Sequence, residues 1–338
     1  MDRPVAHRPL HPRWVWCVLM AGLWLGCQAR EAEMAPVSVT RQEELAKDTF
    51  SVTDRLNREV PFDSVPKRIV SLSPAMTEIL FSLDAEDQLV AVTRYCNYPE
   101  EALDKDQIGG GTLESISQEK LLSLKPDLVL AKWDTHEQLI THLEEWRIPV
   151  LALGAESFEG MLDEIELIGR VTGHLDRAKQ QVRRLRDRMS ALEKQAQQLT
   201  PTPPIKVFYQ VWDDPLMSAG PDSFIGQLIT KAGAQNILDR TDIRYPQVNP
   251  ETVLAENPDV ILAPVSHSEP LDKNSILNRP GWEKVKAIQN ERVELLDGDR
   301  ISRCGPRLVE AFEELLIALY GPLPEQERET DRQSERTP

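Results

Sequence analysis

At 338 residues, with 41% apolar and 28% charged residues, the chain has a globular composition and enough length for two domains with ordinary cores. Its 39 basic and 55 acidic residues give a formal net charge of −16, which argues against binding to a nucleic-acid backbone and favours solubility. Gly-rich phosphate loops, Gly-x-Ser-x-Gly and His-Glu-x-x-His are all missing, so an enzymatic reading has no motif to stand on and no catalytic residue is assigned.

The chain opens with a targeting segment. Arg3, His7, Arg8 and Arg13 precede an apolar run over residues 14–25, which is short for a bilayer span and suits a signal core. The run ends in Leu23-Trp24-Leu25-Gly26-Cys27, which resembles the bacterial lipoprotein cleavage box. Residues 1–27 are therefore expected to be a lipoprotein-type signal peptide, with Cys27 lipidated as the new N-terminus; an ordinary secretory signal is the alternative. Either places the mature protein outside the cytoplasm, in the periplasm or at the cell surface, with the membrane reached only through the anchor. Residues 28–49 are polar and aperiodic, a flexible tether.

Residues 50–156 are predicted to form a first α/β lobe. Residues 50–62 alternate apolar and polar positions about a turn and read as a hairpin. A strand entering Leu72-Ser73-Pro74 starts a helix with Thr77 and Glu78 in its first turn, and further strands fall at 89–92, 128–131 and 150–153 with a helix over 136–146. This βαβ rhythm predicts a mainly parallel sheet. Residues 157–200 are helical, and Leu175, Ala178, Val182, Leu185, Met189, Leu192, Ala196 and Leu199 recur at intervals of three and four. That stripe predicts one long amphipathic helix, better used to brace two lobes than to form a coiled-coil dimer. Residues 201–320 form the second lobe, with strands at 205–211, 260–263 and 292–296 and helices at 222–231 and 306–320; residues 321–338 read as a disordered tail.

The two lobes share a repeated unit. Ser117-Gln-Glu-Lys-Leu-Leu-Ser-Leu-Lys-Pro126-Asp-Leu-Val-Leu-Ala131 matches Asn249-Pro-Glu-Thr-Val-Leu-Ala-Glu-Asn-Pro258-Asp-Val-Ile-Leu-Ala263. Each has a capping Ser or Asn, a short helix ended by Pro-Asp, and a buried strand. The fold class is thus α/β: two Rossmann-like lobes joined by one long helix, with a ligand cleft between them. A helical connection restricts the lobes to a small hinge, so affinity comes from a preformed cleft. Cys96 and Cys304 fall in opposite lobes, where a bond would fix the cleft width, and are expected to be free, partly buried thiols.

With these elements placed, the chain resembles the helix-braced class of bacterial ABC-importer substrate-binding proteins for cobalamin, haem or ferric siderophores. The resemblance spans residues 50–320 and is carried by Val52-Thr-Asp-Arg-Leu-Asn-Arg-Glu-Val60, Pro66-Lys-Arg-Ile-Val-Ser-Leu-Ser-Pro-Ala-Met-Thr-Glu78, Tyr95-Cys-Asn-Tyr-Pro99, Lys125-Pro-Asp127, Tyr245-Pro-Gln-Val248 and Gly305-Pro-Arg307. Tyr95–Pro99 and Tyr245–Val248 look most like the vitamin B12-binding members. The resemblance implies aromatic contacts at Tyr95, Tyr245, Trp133 and Trp212, all at strand ends or nearby loops, where open α/β sheets bind ligands. It also implies a Trp wall where this chain has Gly109, Gly110 and Gly111.

Arg303 and Arg307 are candidates to meet ligand amides or carboxylates, with pairing to a neighbouring acid as the alternative for Arg307. By the same resemblance Glu114 and Glu251, one per lobe, would dock on the permease dimer that works with its ATPase subunits; as helix-start carboxylates they also suit the helix dipole. The implied function is delivery of cobalamin or a related corrinoid by a monomer with no resident cofactor or metal. Haem, with Tyr95, Tyr245 or His267 as axial ligand, and a ferric siderophore, met by Arg303, Arg307 and the tyrosines, are the alternatives. After the signal only His136, His142, His174 and His267 remain, read as scattered and mostly superficial, which disfavours a zinc or manganese site.

Overall fold

The computed structural model describes residues 49–265 and 272–324. The predicted signal peptide, Cys27, all but the last residue of the predicted tether, His267 and residues 325–338 lie outside them.

The first lobe begins with a hairpin, β1 Phe50–Thr53 and β2 Glu59–Phe62, whose ends are joined by stacked Phe50 and Phe62 rings with centroids 5.1 Å apart. Asp54 forms its turn. One carboxylate oxygen accepts from the Leu56 and Arg58 amides at 2.9 and 3.1 Å, while the other accepts from the Ala152 amide at 3.1 Å and so staples the hairpin to the lobe. Then follow β3 Ile69–Ser71, α1 Pro74–Ser82, β4 Leu89–Val92, β5 Asp106–Gln107, α2 Gln118–Ser123, β6 Leu128–Lys132, α3 Glu137–Glu145 and β7 Val150–Leu153. The sheet is wholly parallel in the order β5-β4-β3-β6-β7, as a βαβ chain with continuous apolar strands requires.

Two helices lead out of this lobe. In α4 Phe158–Val171 the Ser157 hydroxyl caps the first turn by accepting from Gly160 N–H at 3.1 Å, and α5 Leu175–Leu199 is the long connecting helix. Six of the eight predicted stripe positions of α5 are buried, and Leu175 and Leu199 at its ends are half-buried. A Cβ at Gly169 would collide with Ala178, so α4 and α5 pack backbone to backbone there. Arg177 pairs with Asp84 of the first lobe and Arg188 with Glu313 of the second, so the helix is tied to both.

The second lobe contains β8 Lys206–Trp212, β9 Met217–Ser218, α6 Phe224–Lys231, β10 Gln235–Asn236, α7 Pro250–Glu256, β11 Val260–Val265, α8 Lys273–Leu277, α9 Lys286–Gln289, β12 Val293–Asp297, α10 Gly298–Ile301 and α11 Leu308–Tyr320. Its parallel order is β10-β8-β11-β12, with β9 antiparallel on β8. The two-residue strands are too short for an alternation to show in sequence.

The repeated unit has the same structural job in both lobes. Ser117 caps α2 and Asn249 caps α7. The Asp after each Pro then receives the amides that open the neighbouring strand: Asp127 accepts from Lys67 and Arg68 at 2.8 and 2.7 Å, and Asp259 from Lys206 at 2.9 Å. One apolar core runs from the hairpin through α4 and α5 to α6 and α11 of the second lobe, with a further core on the other face of each sheet. Because the lobes share packed interior along α5, large separation would break close-packed contacts, and this is the physical basis of a small hinge.

Candidate functional site

Between the lobes, at the C-terminal ends of the first lobe's strands, lies a cavity of about 320 Å³. The turn after β3 (Leu72 to Met76), Tyr95 after β4, Lys132 and His136 after β6, and Gly154 and Ala155 after β7 form one wall, and Ser302, Arg303 and Cys304 between α10 and α11 form the other. This is where a parallel sheet presents loops to a ligand.

Tyr95 is half exposed at the rim, with its ring over Gly111; a Cβ there would stand 3.5 Å from the ring. The Arg94 guanidinium lies 5.4 Å from the ring centroid. The three glycines are therefore more than a missing wall. Gly109, at φ 115°, and Gly110 close a loop against Ser115 that no side chain would fit, and Gly111 forms a shelf beneath Tyr95.

His136 is an exception to the mostly superficial histidines expected from the sequence. It is buried in the first lobe, where Nδ1 accepts from the Lys132 amide at 2.8 Å and Nε2 donates to the Gly111 carbonyl at 3.0 Å. That pattern needs the neutral imidazole, and burial holds its pKa below the ordinary value. His136 thus ties the glycine shelf to the end of β6. Nothing in the local sequence signals this, because its partners are both backbone groups. Beside it, burial raises the pKa of Glu164, whose carboxylate accepts from Gly154 N–H at 2.6 Å. The Cys304 thiol is pushed up to about 12 by burial and then by Glu164. Cys96 and Cys304 are both free; Cys96 is fully buried and Cys304 partly so.

Tyr245, in the loop before α7, is 38% exposed, while burial of its hydroxyl raises its pKa; Arg244, Cys304 and Asp134 lie within electrostatic range. Tyr95 and Arg303 thus line the cavity, whereas Tyr245 and the two tryptophans stand outside its lining. Trp133 is wedged against Gly154 with the Arg55 guanidinium 5.9 Å from its ring centroid, and its indole N–H is buried without a partner. Trp212 is exposed on the second lobe and donates to the Asp214 carbonyl at 3.0 Å.

The two arginines converge on an acid that sequence reasoning had placed only in a helix's first turn. Glu78 of α1 is buried and accepts from Arg307 through Nε at 2.9 Å and Nη2 at 2.7 Å, and from Arg303 Nη1 at 3.2 Å. Arg307 therefore points away from the first cavity into a second one of about 330 Å³, shared by α1, α5 and α11. The missed signal was an acid flanked by the apolar residues Met76, Ile79 and Leu80, all buried, since a carboxylate on such a face needs a cationic partner.

Glu114 lies in a 3-10 turn over Leu113–Ser115, where its own backbone amide and Thr112 lower its pKa. Glu251 stands in the first turn of α7. Both are exposed, one on each lobe.

Known proteins share this fold. The family model described as periplasmic binding protein matches residues 69–299. The uncharacterized ABC transporter substrate-binding lipoprotein YvrC of Bacillus subtilis is 30% identical over 313 residues, covering 91% of this chain and 96% of that protein. The crystal structure of the periplasmic vitamin B12 binding protein BtuF of Vibrio cholerae superposes with a TM-score of 0.65 at 27% identity, covering 75% of this chain and 97% of that one. The periplasmic heme-binding protein RhuT from Roseiflexus sp. gives a TM-score of 0.68 at 25% identity, covering 75% and 98%.

Proposed function

The chain belongs to the periplasmic binding protein family, substrate-binding components of ABC importers rather than enzymes, and we propose that its cargo is cobalamin or a related corrinoid. The observation that carries this choice within the family is the state of Arg303 and Arg307. Haem and many ferric siderophores bring carboxylates or net negative charge, for which an available guanidinium is the natural partner. Here both guanidiniums already bond to Glu78. Of the other titratable groups lining the cavity, His136 is held neutral, Cys304 is pushed toward the thiol, burial raises the pKa of Glu164, and Lys132 is paired with Asp134. A neutral slot edged by tyrosines suits a broad macrocycle with amide arms, because rigid rings supply contact area at low rotamer cost.

Haem is the second reading, favoured by the exposed Tyr95 phenol at the rim. Titrating the chain from Glu31 onward with cyanocobalamin, hemin and a ferric hydroxamate separates the cases. Quenching of tryptophan fluorescence by cyanocobalamin alone is expected. A Soret shift with hemin, abolished by Tyr95→Phe, would replace the corrinoid with haem.

Delivery follows from the same reading. Glu114 and Glu251 face solvent on separate lobes and fit basic sites on a two-fold permease coupled to ATPase subunits, and Cys27 anchors the monomer by lipid. Charge reversal at both (Glu114→Arg with Glu251→Arg) should abolish corrinoid uptake by cells while leaving ligand affinity within about twofold, since such charges steer and orient docking. Cys27→Ala should prevent palmitate labelling and release the protein from membranes.

A further inference from the structure

Tyr95 belongs to the first lobe, yet the segment that carries it is held by the second. Arg303 donates through Nη2 to the Tyr95 carbonyl at 3.2 Å and through Nη1 to Asn97 Oδ1 at 2.7 Å. The Asn97 amide donates in turn to Asp299 Oδ2 at 2.9 Å, and Asp299 also pairs with Arg303 at 2.9 Å. One step further, the Tyr98 ring lies 3.8 Å from the Arg307 guanidinium. Arg303 and Arg307 are themselves fixed from the first lobe by Glu78. Two carboxylates and two guanidiniums thus balance, and their hydrogen bonds close a circuit across the lobe boundary. Such a circuit tolerates burial only while every member stays in place.

We infer that Glu78 and Arg303, acting with Asn97, are positioning residues for the ring at the cleft rim, so that the placement of Tyr95 and the relative orientation of the lobes are one variable. A hinge motion that draws Arg303 back pulls on the Tyr95 carbonyl directly, and a ligand that presses on the ring is felt at Glu78. The rigidity of the network lowers the ordering cost of binding at Tyr95. In its bearing on ligand affinity this inference rests on the proposed function; in its bearing on the ring it does not.

Two arms test it. The first needs no ligand. The chain has five tyrosines, so 3-fluorotyrosine labelling gives five fluorine resonances, assigned by single Tyr→Phe variants. Asn97→Ala leaves the Glu78 pairs intact and should fold; it is expected to shift or broaden the Tyr95 and Tyr98 signals while Tyr320, packed near α6, stays unchanged. Glu78→Gln should do the same more strongly. Tyr95 signals identical to wild type in both variants would overturn the inference.

The second arm is a double-mutant cycle with cyanocobalamin. Asn97→Ala should weaken binding about tenfold in the wild-type background and not at all in Tyr95→Ala, because coupled residues are non-additive. Equal losses in both backgrounds would show that Asn97 does not act through Tyr95 and overturn the inference. If the wild-type protein binds no cyanocobalamin, the corrinoid reading falls, and the fluorine spectra still decide the positioning role.

Discussion

The lobe boundary is crossed by two bridges of the same composition, a glutamate between two arginines, and they differ in burial. Glu78, with a side chain only 2% exposed, sits between Arg303 and Arg307, which are themselves nearly enclosed. Glu156, with a side chain 32% exposed, links Arg55 of the hairpin at 2.7 Å to Arg244 of the second lobe. Each bridge neighbours one tyrosine of the proposed site. Arg303 holds the Tyr95 backbone, and Arg244 directly precedes Tyr245. Identical charges are therefore expected to make a more rigid joint at Glu78 than at Glu156, because water screens the exposed bridge more than the buried one.

The largest way to break this comparison is Glu78→Ala. It leaves Arg307 without its carboxylate and Arg303 with Asp299 alone, and a loss of about 3 kcal/mol in urea-unfolding stability is expected; a loss under 1 kcal/mol would mean the buried bridge is no stronger than the exposed one. Next come the tyrosines. Tyr95→Ala should weaken cyanocobalamin binding by at least about tenfold and Tyr245→Ala by less, because the first ring is held in advance and the second is not. The reverse order in titration calorimetry would contradict the assignment of rigid and loose sides.

Acidification probes a third link, inside the first lobe. The folded state holds His136 neutral, so as pH falls below the ordinary imidazole value of 6.5 the unfolded chain takes the proton first. Stability present above that pH is then lost progressively below it, by at most about 1.4 kcal/mol per pH unit from this group. His136→Asn should flatten the slope between pH 6.5 and 5, read by urea unfolding at each pH. The smallest effect is expected from Glu156→Gln: a change within about 1 kcal/mol that shrinks further in high salt.

Much of this was legible in the sequence because it is encoded locally. The stripe from Leu175 to Leu199 needed only helical spacing to be read, and the paired units placed both lobes because the capping residue, the Pro-Asp stop and the apolar strand are contiguous in sequence; the strand-opening amides that each Asp accepts are not, and were not foreseen. Tyr95 could be placed beside the cavity because the end of a parallel strand is a recognisable position, whereas Tyr245, in a loop before α7, had no such marker. Arg307 was harder. Its alternatives, ligand contact or an ion pair, differ only by whether an acid lies nearby, and Glu78 is 229 residues distant in sequence.

The chain by itself determined the α/β class, the two lobes and the bracing helix, since helix periodicity, capping and strand burial depend on neighbours within a few turns. Only the tertiary structure decided which polar groups remain available to a ligand. Glu78 claims both arginines, His136 faces inward to hold the glycine shelf, and Tyr95 is steadied from the opposite lobe. The physical reason is that a buried charge or hydrogen-bonding group must find a partner wherever folding brings one, and that partner is chosen by proximity in space rather than along the chain.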